Sequence, residues 1–282
     1  MTDSATTALL KGVRVVSLAP NLPGPAAAAR LVELGAAVTK VEPPAGDPMA
    51  EFNPVWYDEL RRGQTCLTLD LKEPDDSEAL HRHLAEADLL ITSSRPAALA
   101  RLGLDWPSLH ARHPRLCQVA IVGYAPPDDN RPGHDLTYLA EAGLVDEGRM
   151  PPTLFVDLAG AERAVSTALA LLLARNRSGE GSMATVALFD AARALAAPRR
   201  HGTTMPGALL GGGLPQYALY PARTGTVAVG CLEPHFSARL AAELGLERLS
   251  HEALRTVFRE RDATEWEDWA AARDLPLVAV RR

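Results

Sequence analysis

The 282-residue chain is poor in cysteine, with only Cys66, Cys117 and Cys231. Three cysteines so far apart exclude a disulfide-stapled scaffold, and none of them has the close Cys or His spacing of a zinc site. We therefore expect a reducing compartment, the cytoplasm, and no bound metal.

Long apolar runs and an excess of positive charge are also lacking. No segment approaches the roughly 18 consecutive apolar residues of a membrane helix, and the N-terminus MTDSATTALLKG lacks the pattern of a signal peptide. The 29 basic residues face 35 acidic ones, a net charge of -6. This balance argues against nucleic acid or an anionic membrane as the main partner. We expect a soluble globular protein.

The first half of the sequence alternates β-branched runs with amphipathic stretches. VRVVSLA (13–19) and AVTKVEP (37–43) are typical of strands, and the helical pattern between them begins at Pro25 and ends at Gly35. Strands separated by helices predict an α/β fold with a Rossmann-like parallel sheet. Three further apolar runs extend this pattern, at 65–71, 88–94 and 116–124.

The composition of the sequence changes after a long helical pattern that ends near residue 181. A Pro/Gly-rich stretch, RRHGTTMPGALLGGGLP (199–215), follows and indicates a domain boundary. We predict a large α/β domain over residues 1–195, a connector over 196–215 and a small α+β domain over 216–282.

Two patterns that suggest ligand sites are incomplete. The turn NLPGPAAAARL has only Gly24 where a dinucleotide fingerprint needs three glycines, so NAD binding is not indicated. His81 and His83 are two residues apart and point in different directions on a helix, which favours a solvated face over a metal pair.

Three residues remain as candidates for chemistry. His134 is flanked by Gly133, which permits close backbone approach, and by Asp135, a competent N-cap for the next helix. Asp157 stands at or near the start of a helix, either as a simple cap or as an acid, base or nucleophile held by the helix dipole. Glu233 ends an apolar strand, where capping and a functional role are both open. On its own, His134 also fits an ordinary loop histidine.

The order of these residues resembles family III of the CoA-transferases, and within it the α-methylacyl-CoA racemases. The similarity covers most of residues 10–245. The matching stretches are LKGVRVVSLAPNLPGPAAAARLVELGAAVTKVEPPAGDP, RRGQTCLTLDLKEP, DLLITSSRPAALARLGLDWPSLHARHPRLCQVAIVGY, GHDLTYLAEAG, FVDLAG, NRSGEGSMATVALFDA and GGGLPQYALYPARTGTVAVGCLEPHF.

The resemblance implies roles for the candidate residues. In racemase-like members, the positions of His134 and Asp157 form the acid/base pair, and that of Glu233 supports the histidine. Removing a proton from one face of the α-carbon and returning one to the other needs two bases, and the backbone N–H groups near Asp135 would stabilise the enolate. In the transferase branch the aspartate is a nucleophile, the histidine is absent and a Gln stands near Leu22. The retained histidine favours racemisation of a 2-methylacyl-CoA.

The resemblance also implies how CoA is bound. Arg95 matches a family arginine that contacts CoA. Many relatives have basic residues at the positions of Pro43 and Gln64, and here Arg61 and Arg62 stand in their neighbourhood. CoA is part of the substrate, so no separate cofactor is expected.

The family forms interlocked dimers, so a homodimer is expected as well. The chain ends soon after LPLVAV (275–280), which indicates a shortened C-terminal return segment, and the short spacing between His134 and Asp157 would reshape the acyl pocket. Two alternatives stay open. One is a CoA-transferase that forms an aspartyl-CoA thioester at Asp157; the other is a degenerate member that binds acyl-CoA without turnover.

Overall fold

The computed structural model describes residues 9–281, which form two compact units that meet in sequence between Ala196 and Ala197. The first unit contains a six-stranded sheet in which all neighbouring strands are parallel. Its strands are β1 (Arg14–Ser17), β2 (Ala37–Glu42), β3 (Thr65–Thr68), β4 (Leu89–Thr92), β5 (Cys117–Val122) and β6 (Met183–Ala187).

The sheet has the order β3-β2-β1-β4-β5-β6, which is the doubly wound order of Rossmann-like folds. The α/β class and the parallel sheet expected from the sequence are therefore confirmed. The helices of this unit are α1 (Pro23–Glu33), α2 (Met49–Phe52), α3 (Pro54–Leu60), α4 (Pro74–Glu86), α5 (Pro96–Arg101), α6 (Trp106–Arg112), α7 (Asp135–Glu141), α8 (Phe155–Ser178) and α9 (Leu188–Leu195).

Both faces of the sheet are covered by helices, and successive strand residues point to opposite faces. Val15 and Ile91 belong to one apolar cluster, which also includes residues of α1 and α8. Val16 and Leu90, their neighbours in sequence, belong to a second cluster with residues of α4, α5 and α6. Helices on both faces explain why the central strands are apolar throughout rather than alternating with polar residues.

The turn from β1 into α1 shows why a glycine stands there. A Cβ atom on Gly24 would collide with the Cβ of Ala19 at the end of the strand. Pro23 and Pro25 occupy the first helical turn, where their missing N–H groups cost nothing. The glycine therefore permits close contact between helix and strand.

The second unit is built on an antiparallel sheet of order β7-β8-β9, with strands β7 (Tyr217–Pro221), β8 (Thr226–Gly230) and β9 (Leu277–Ala279). Its core includes the buried rings of Tyr220, Phe258 and Trp266. The stretch expected to be a connector contains a short helix and an irregular turn, Leu209–Gly213, in which Gly211 and Gly212 depart from helical backbone angles. The helices are α10 (Ala197–Arg200), α11 (Pro234–Glu243), α12 (His251–Phe258) and α13 (Ala263–Ala271).

The solvated face expected at His81 and His83 was wrong for His81. His81 is buried rather than solvated, with its Nδ1 3.0 Å from Nε2 of His113. The 3.6-residue period of α4 turns His81 to the core side with Leu80 and Leu84, while His83 stays exposed.

Over residues 9–281, no helix is both long and apolar enough to cross a membrane. The same part of the chain contains no group of three or more His, Cys, Asp or Glu side chains arranged to hold a metal ion.

Candidate active site

A cavity of about 740 Å³ lies in the first unit, next to the carboxyl ends of β1, β4 and β5. In open parallel sheets of this order, ligands bind in the crevice at that edge. The lining includes the turn after β1 (20–23), the turn after β4 (93–95), the end of β5 (121–123) and the loop before α7 (131–134). Residues from α2, α3 and α7 and from the starts of α8 and α9 also line it.

Asp135 joins the starts of two helices on the cavity wall. Its carboxylate Oδ1 accepts hydrogen bonds from the backbone N–H groups of Val156, at 2.7 Å, and Asp157, at 3.0 Å. The expectation that Asp135 caps its own helix was wrong: His134 is the N-cap of α7, and Asp135 is the first helical residue. Because its side chain is turned toward α8, it pairs donors that the first turn of that helix would leave unsatisfied.

Asp157 is the third residue of α8, and its side chain lines the cavity. Burial, and to a smaller extent the negative charge of Asp135, raise the pKa of the Asp157 carboxyl to about 7. Near neutral pH, both its protonated and its ionised forms are populated. A carboxyl of this kind can serve as a general acid or a general base, and its ionised form as a nucleophile.

His134 lies on the same cavity wall and is solvent-exposed. Its backbone is fixed by Thr137, whose hydroxyl accepts the N–H of His134 at 2.9 Å and donates to the carbonyl of His134 at 2.8 Å. The histidine is thereby held at the start of α7, next to the aspartate that binds the start of α8.

The loop before α7 is held by a cluster around Glu141. The guanidinium of Arg131 donates to this carboxylate at 3.0 Å and lies 4.1 Å from the centre of the Tyr124 ring. The hydroxyl of Tyr124 donates to the same carboxylate at 2.9 Å. Since Arg131 lines the cavity, this cluster fixes part of its rim.

A buried ion pair stabilises the loops that follow β1 and β2. Lys40 Nζ lies 2.6 Å from Asp47 Oδ2 and 2.7 Å from Glu42 Oε1. The other oxygen of Asp47 accepts the backbone N–H groups of Asn21, at 3.1 Å, and Met49, at 3.0 Å. Asn21 has a φ of 66°, a left-handed conformation that asparagine tolerates better than most residues. One carboxylate therefore connects the loop after β1 to the start of α2, and Asn21 and Met49 both line the cavity.

Of the three arginines expected to contact CoA, one lines the cavity and two do not. Arg95 lines the cavity at the start of α5. Arg61 and Arg62 follow α3, are exposed and are not among the lining residues, and Arg61 forms an ion pair with Asp58 at 2.8 Å. Glu233 belongs to the second unit, where it is the exposed N-cap of α11 and its side chain makes no capping hydrogen bond.

Two features were not predicted from the sequence. Tyr138 lines the cavity one helical turn after His134, and this four-residue spacing is a signal that places both side chains on one helix face. The pairing of Lys40 with Asp47 had no comparable signal, because a buried lysine on a strand contradicts the usual preference for exposure.

The parallel sheet and the cavity at its carboxyl edge, lined by apolar residues together with a few polar and charged ones, are typical of a ligand-binding α/β protein. The chain belongs to CoA-transferase family III, whose family model matches residues 10–282.

Relatives in this family include both transferases and a racemase. Cinnamoyl-CoA:phenyllactate CoA-transferase of Clostridium sporogenes is 35% identical over 66% of this chain and 50% of its own length. The α-methylacyl-CoA racemase of Mus musculus is 32% identical over 85% of this chain and 65% of its own length. The chain thus spans about half the length of that transferase and somewhat under two thirds of the racemase.

A solved structure with the same fold is that of protein Rv3272 from Mycobacterium tuberculosis. It superimposes with a TM-score of 0.83 at 26% identity, covering 97% of this chain and 83% of that one. The fold similarity therefore includes both units of the chain.

Proposed function

We propose that the protein racemises the α-carbon of a 2-methylacyl-CoA thioester by two-base proton transfer through an enolate. The observation that supports this most strongly is that His134 and Asp157 both line one cavity, with Asp135 hydrogen-bonded to the start of α8. Racemisation needs two proton carriers around one carbon, and this cavity provides an imidazole and a carboxyl.

The two groups suit both directions of the reaction. In one direction ionised Asp157 removes the α-proton and the His134 imidazolium returns a proton to the other face; in the other direction the roles exchange. A carboxyl pKa of about 7 supports this use, because a proton carrier is most effective when its pKa lies near the working pH. The backbone N–H groups of Asp135 and Leu136, at the start of α7, are the proposed donors to the enolate oxygen.

CoA is recognised as part of the substrate, and the chemistry needs no further cofactor. Arg95, whose side chain forms no ion pair within residues 9–281, is the proposed phosphate contact on the cavity wall. A guanidinium suits this role because it binds phosphate oxygens in a bidentate manner. Arg61 and Arg62 are the proposed CoA contacts outside the cavity.

Transfer of CoA by way of Asp157 is the second candidate function. The 35% identity to a CoA-transferase favours it, and a desolvated carboxylate is also a nucleophile. Three observations support racemisation instead: His134 is retained, Leu22 lines the cavity near the position where the transferase branch has Gln, and the match to the racemase extends over 85% of the chain against 66% for the transferase.

We further propose that the protein acts as a cytoplasmic homodimer. The exposed face of α8 presents Phe155, Leu158, Leu169 and Leu173, and apolar surface of this kind marks interfaces. The three cysteines are unpaired, as expected in a reducing compartment. Glu233 is assigned to the support of the His134 imidazole by the family resemblance alone, and Glu233→Gln tests it: full retention of proton exchange would remove that role.

The decisive experiment follows deuterium at the α-carbon. A single enantiomer of a 2-methylacyl-CoA is incubated with the protein in deuterated buffer, and incorporation is read by NMR together with inversion of configuration. Racemisation predicts both signals, and Asp157→Asn should lose them by about 10²- to 10⁴-fold. Asp146→Asn, the same chemical change at an exposed residue outside the cavity, is the matched control.

The enantiomers distinguish the two bases. His134→Ala should reduce exchange from one enantiomer more than from the other, and His83→Ala, at an exposed position on α4, should change neither. If the wild-type protein exchanges no α-proton but forms a hydroxylamine-sensitive adduct with acyl-CoA, it is a transferase. Absence of both signals would indicate a degenerate acyl-CoA-binding member.

A further inference from the structure

Tyr138 occupies a position on the cavity wall that the two-base mechanism does not use. It is the fourth residue of α7, one turn after His134, and lines the same cavity as Asp157. Only 2% of its surface is exposed. Both Tyr138 and His134 are among the residues that line this cavity.

The position of the Tyr138 hydroxyl is fixed by close contact with two glycines. A Cβ atom added to Gly123 would lie 2.5 Å from the hydroxyl oxygen, and one added to Gly133 would lie 2.8 Å from it. On another side, the ring meets Tyr124 edge-on, with 5.4 Å between ring centres. Absence of a side chain at both glycines therefore makes room for this hydroxyl at the carboxyl edge of the sheet.

The hydroxyl of Tyr138 has no hydrogen-bond partner within residues 9–281. Its neighbour Tyr124 differs, since the Tyr124 hydroxyl donates to Glu141. Polar groups on buried side chains are nearly always paired, and the hydroxyl of Tyr138 is not one of the sealed polar atoms without a partner. Because the residue lines the cavity, a bound ligand can supply the missing acceptor.

The phenol is a donor over the whole working range of pH. Burial, and to smaller extents Tyr124 and Asp157, raise the pKa of Tyr138 to about 12. A group that stays protonated beside an acid/base pair neither competes for the α-proton nor adds negative charge. It fits an acceptor atom of the ligand that becomes more negative during the reaction.

We infer that Tyr138 is a further catalytic residue, whose hydroxyl donates a hydrogen bond to the carbonyl oxygen of the bound acyl thioester. This inference rests on the proposed racemisation. As the α-C–H bond breaks, its electron pair forms the C=C bond of the enolate, the C=O π pair moves to the oxygen, and the proton goes to the base. The Tyr138 proton stays on its own oxygen, and the hydrogen bond strengthens as charge develops on the acceptor.

A binding experiment tests the carbonyl contact without turnover. The affinities of butyryl-CoA and of S-butyl-CoA, a thioether that lacks the carbonyl, are measured by calorimetry for the wild-type protein and Tyr138→Phe. Loss of one neutral hydrogen bond predicts that the preference of the protein for butyryl-CoA over S-butyl-CoA is about fivefold smaller in Tyr138→Phe than in the wild type, where the N–H donors at the start of α7 also act. The affinity of Tyr138→Phe for S-butyl-CoA should not change, because the Phe ring keeps the packing.

Tyr217→Phe is the matched control, since it removes a phenol hydroxyl from β7 of the second unit, at a residue that does not line the cavity. It should keep the preference for butyryl-CoA. Equal preference in the wild type and Tyr138→Phe would overturn the inference, and so would a wild type with no preference.

Exchange at the α-carbon separates this inference from the proposed function. If the rate of α-proton exchange falls about 10²-fold in Tyr138→Phe, and the preference for butyryl-CoA over S-butyl-CoA also falls, both results support a donor to the developing oxyanion. If the wild type exchanges deuterium and Tyr138→Phe is fully active, the result supports the proposed racemase function and contradicts the catalytic role of Tyr138. A wild type that exchanges nothing contradicts the racemase and, with it, that role; the carbonyl preference would then show only that Tyr138 binds the thioester.

Discussion

Asp135 acts on Asp157 in two ways, since its carboxylate accepts the backbone N–H of Asp157 at 3.0 Å and its charge contributes to the raised pKa of the Asp157 side chain. Asp135→Asn separates the two effects, because an amide oxygen still accepts the N–H but has no charge. We expect the pKa of Asp157 to fall part of the way toward its ordinary value, burial being the larger cause.

The measurement is the pH profile of α-proton exchange from the enantiomer whose proton Asp157 removes. Its acidic limb should lie near pH 7 in the wild type and move to lower pH in Asp135→Asn. Asp135→Ala, which loses the acceptor as well, should also destabilise the protein by about 1 kcal/mol or more. An acidic limb that stays in place in Asp135→Asn would contradict the electrostatic role.

Asp157→Asn should be more stable than the wild type at alkaline pH. A carboxyl whose pKa rises from 3.8 to about 7 on folding binds more protons in the folded state, so its cost to stability appears above pH 4 and is complete above pH 7. At about 1.4 kcal/mol for each pKa unit, the variant gains up to about 4 kcal/mol at pH 8.

Urea unfolding at pH 4 and pH 8 measures this gain. The difference between Asp157→Asn and the wild type should be small at pH 4 and largest at pH 8. The exposed control Asp146→Asn should show no such growth with pH. A difference that does not depend on pH would mean that the Asp157 carboxyl is not desolvated in the folded protein.

Gly133→Ala should displace Tyr138, because the new methyl group would lie 2.8 Å from the Tyr138 hydroxyl. We expect a loss of about 1–3 kcal/mol of stability from overpacking and a loss of exchange similar to that of Tyr138→Phe. Combined, the two substitutions should lower exchange by less than the product of their separate effects, because both act on one hydroxyl. Gly230→Ala, whose Cβ would meet only an ordinary contact, is the control.

The pair formed by His81 and His113 should make stability acid-sensitive. Burial first, and then nearby positive charge, lower the pKa of both imidazoles; Arg112 acts on both rings, His81 acts on His113, and Glu78 opposes the effect. The unfolded chain therefore takes up more protons below the ordinary histidine pKa of about 6.5, and stability falls as the pH falls through that value.

Replacing both histidines by phenylalanine keeps two stacked rings and removes the titration. The free energy of unfolding should then fall less steeply between pH 7 and pH 5 than in the wild type, where each additional proton contributes about 1.4 kcal/mol per pH unit. His83→Gln, at an exposed position on the same helix, should leave the slope unchanged. Identical slopes in all three proteins would contradict this prediction.

The sheet was predictable because its strands are short apolar runs bounded by turns, and a parallel sheet buried on both faces requires that pattern. The family resemblance selected His134 and Asp157 as candidates, and the structure places both in the lining of one cavity, while their catalytic roles stay predictions. The bond from Asp135 to α8 was not predictable, because an aspartate before a helix pattern fits a cap of its own helix equally well. Likewise, the burial of His81 depends on which helix packs over it, and only tertiary contacts decide that.

The hydrogen bonds from Asp135 to the start of α8 have a consequence for how the protein can change. They fix the separation of the two helix starts regardless of the length of the loop between them, residues 142–154. Loop length itself costs little conformational entropy. If the protein is the proposed racemase, insertions, deletions or grafted sequences in this loop, whose Leu154 lines the cavity, should change the acyl group that is accepted without separating the two helix starts, so that substrate range and chemistry could be engineered separately.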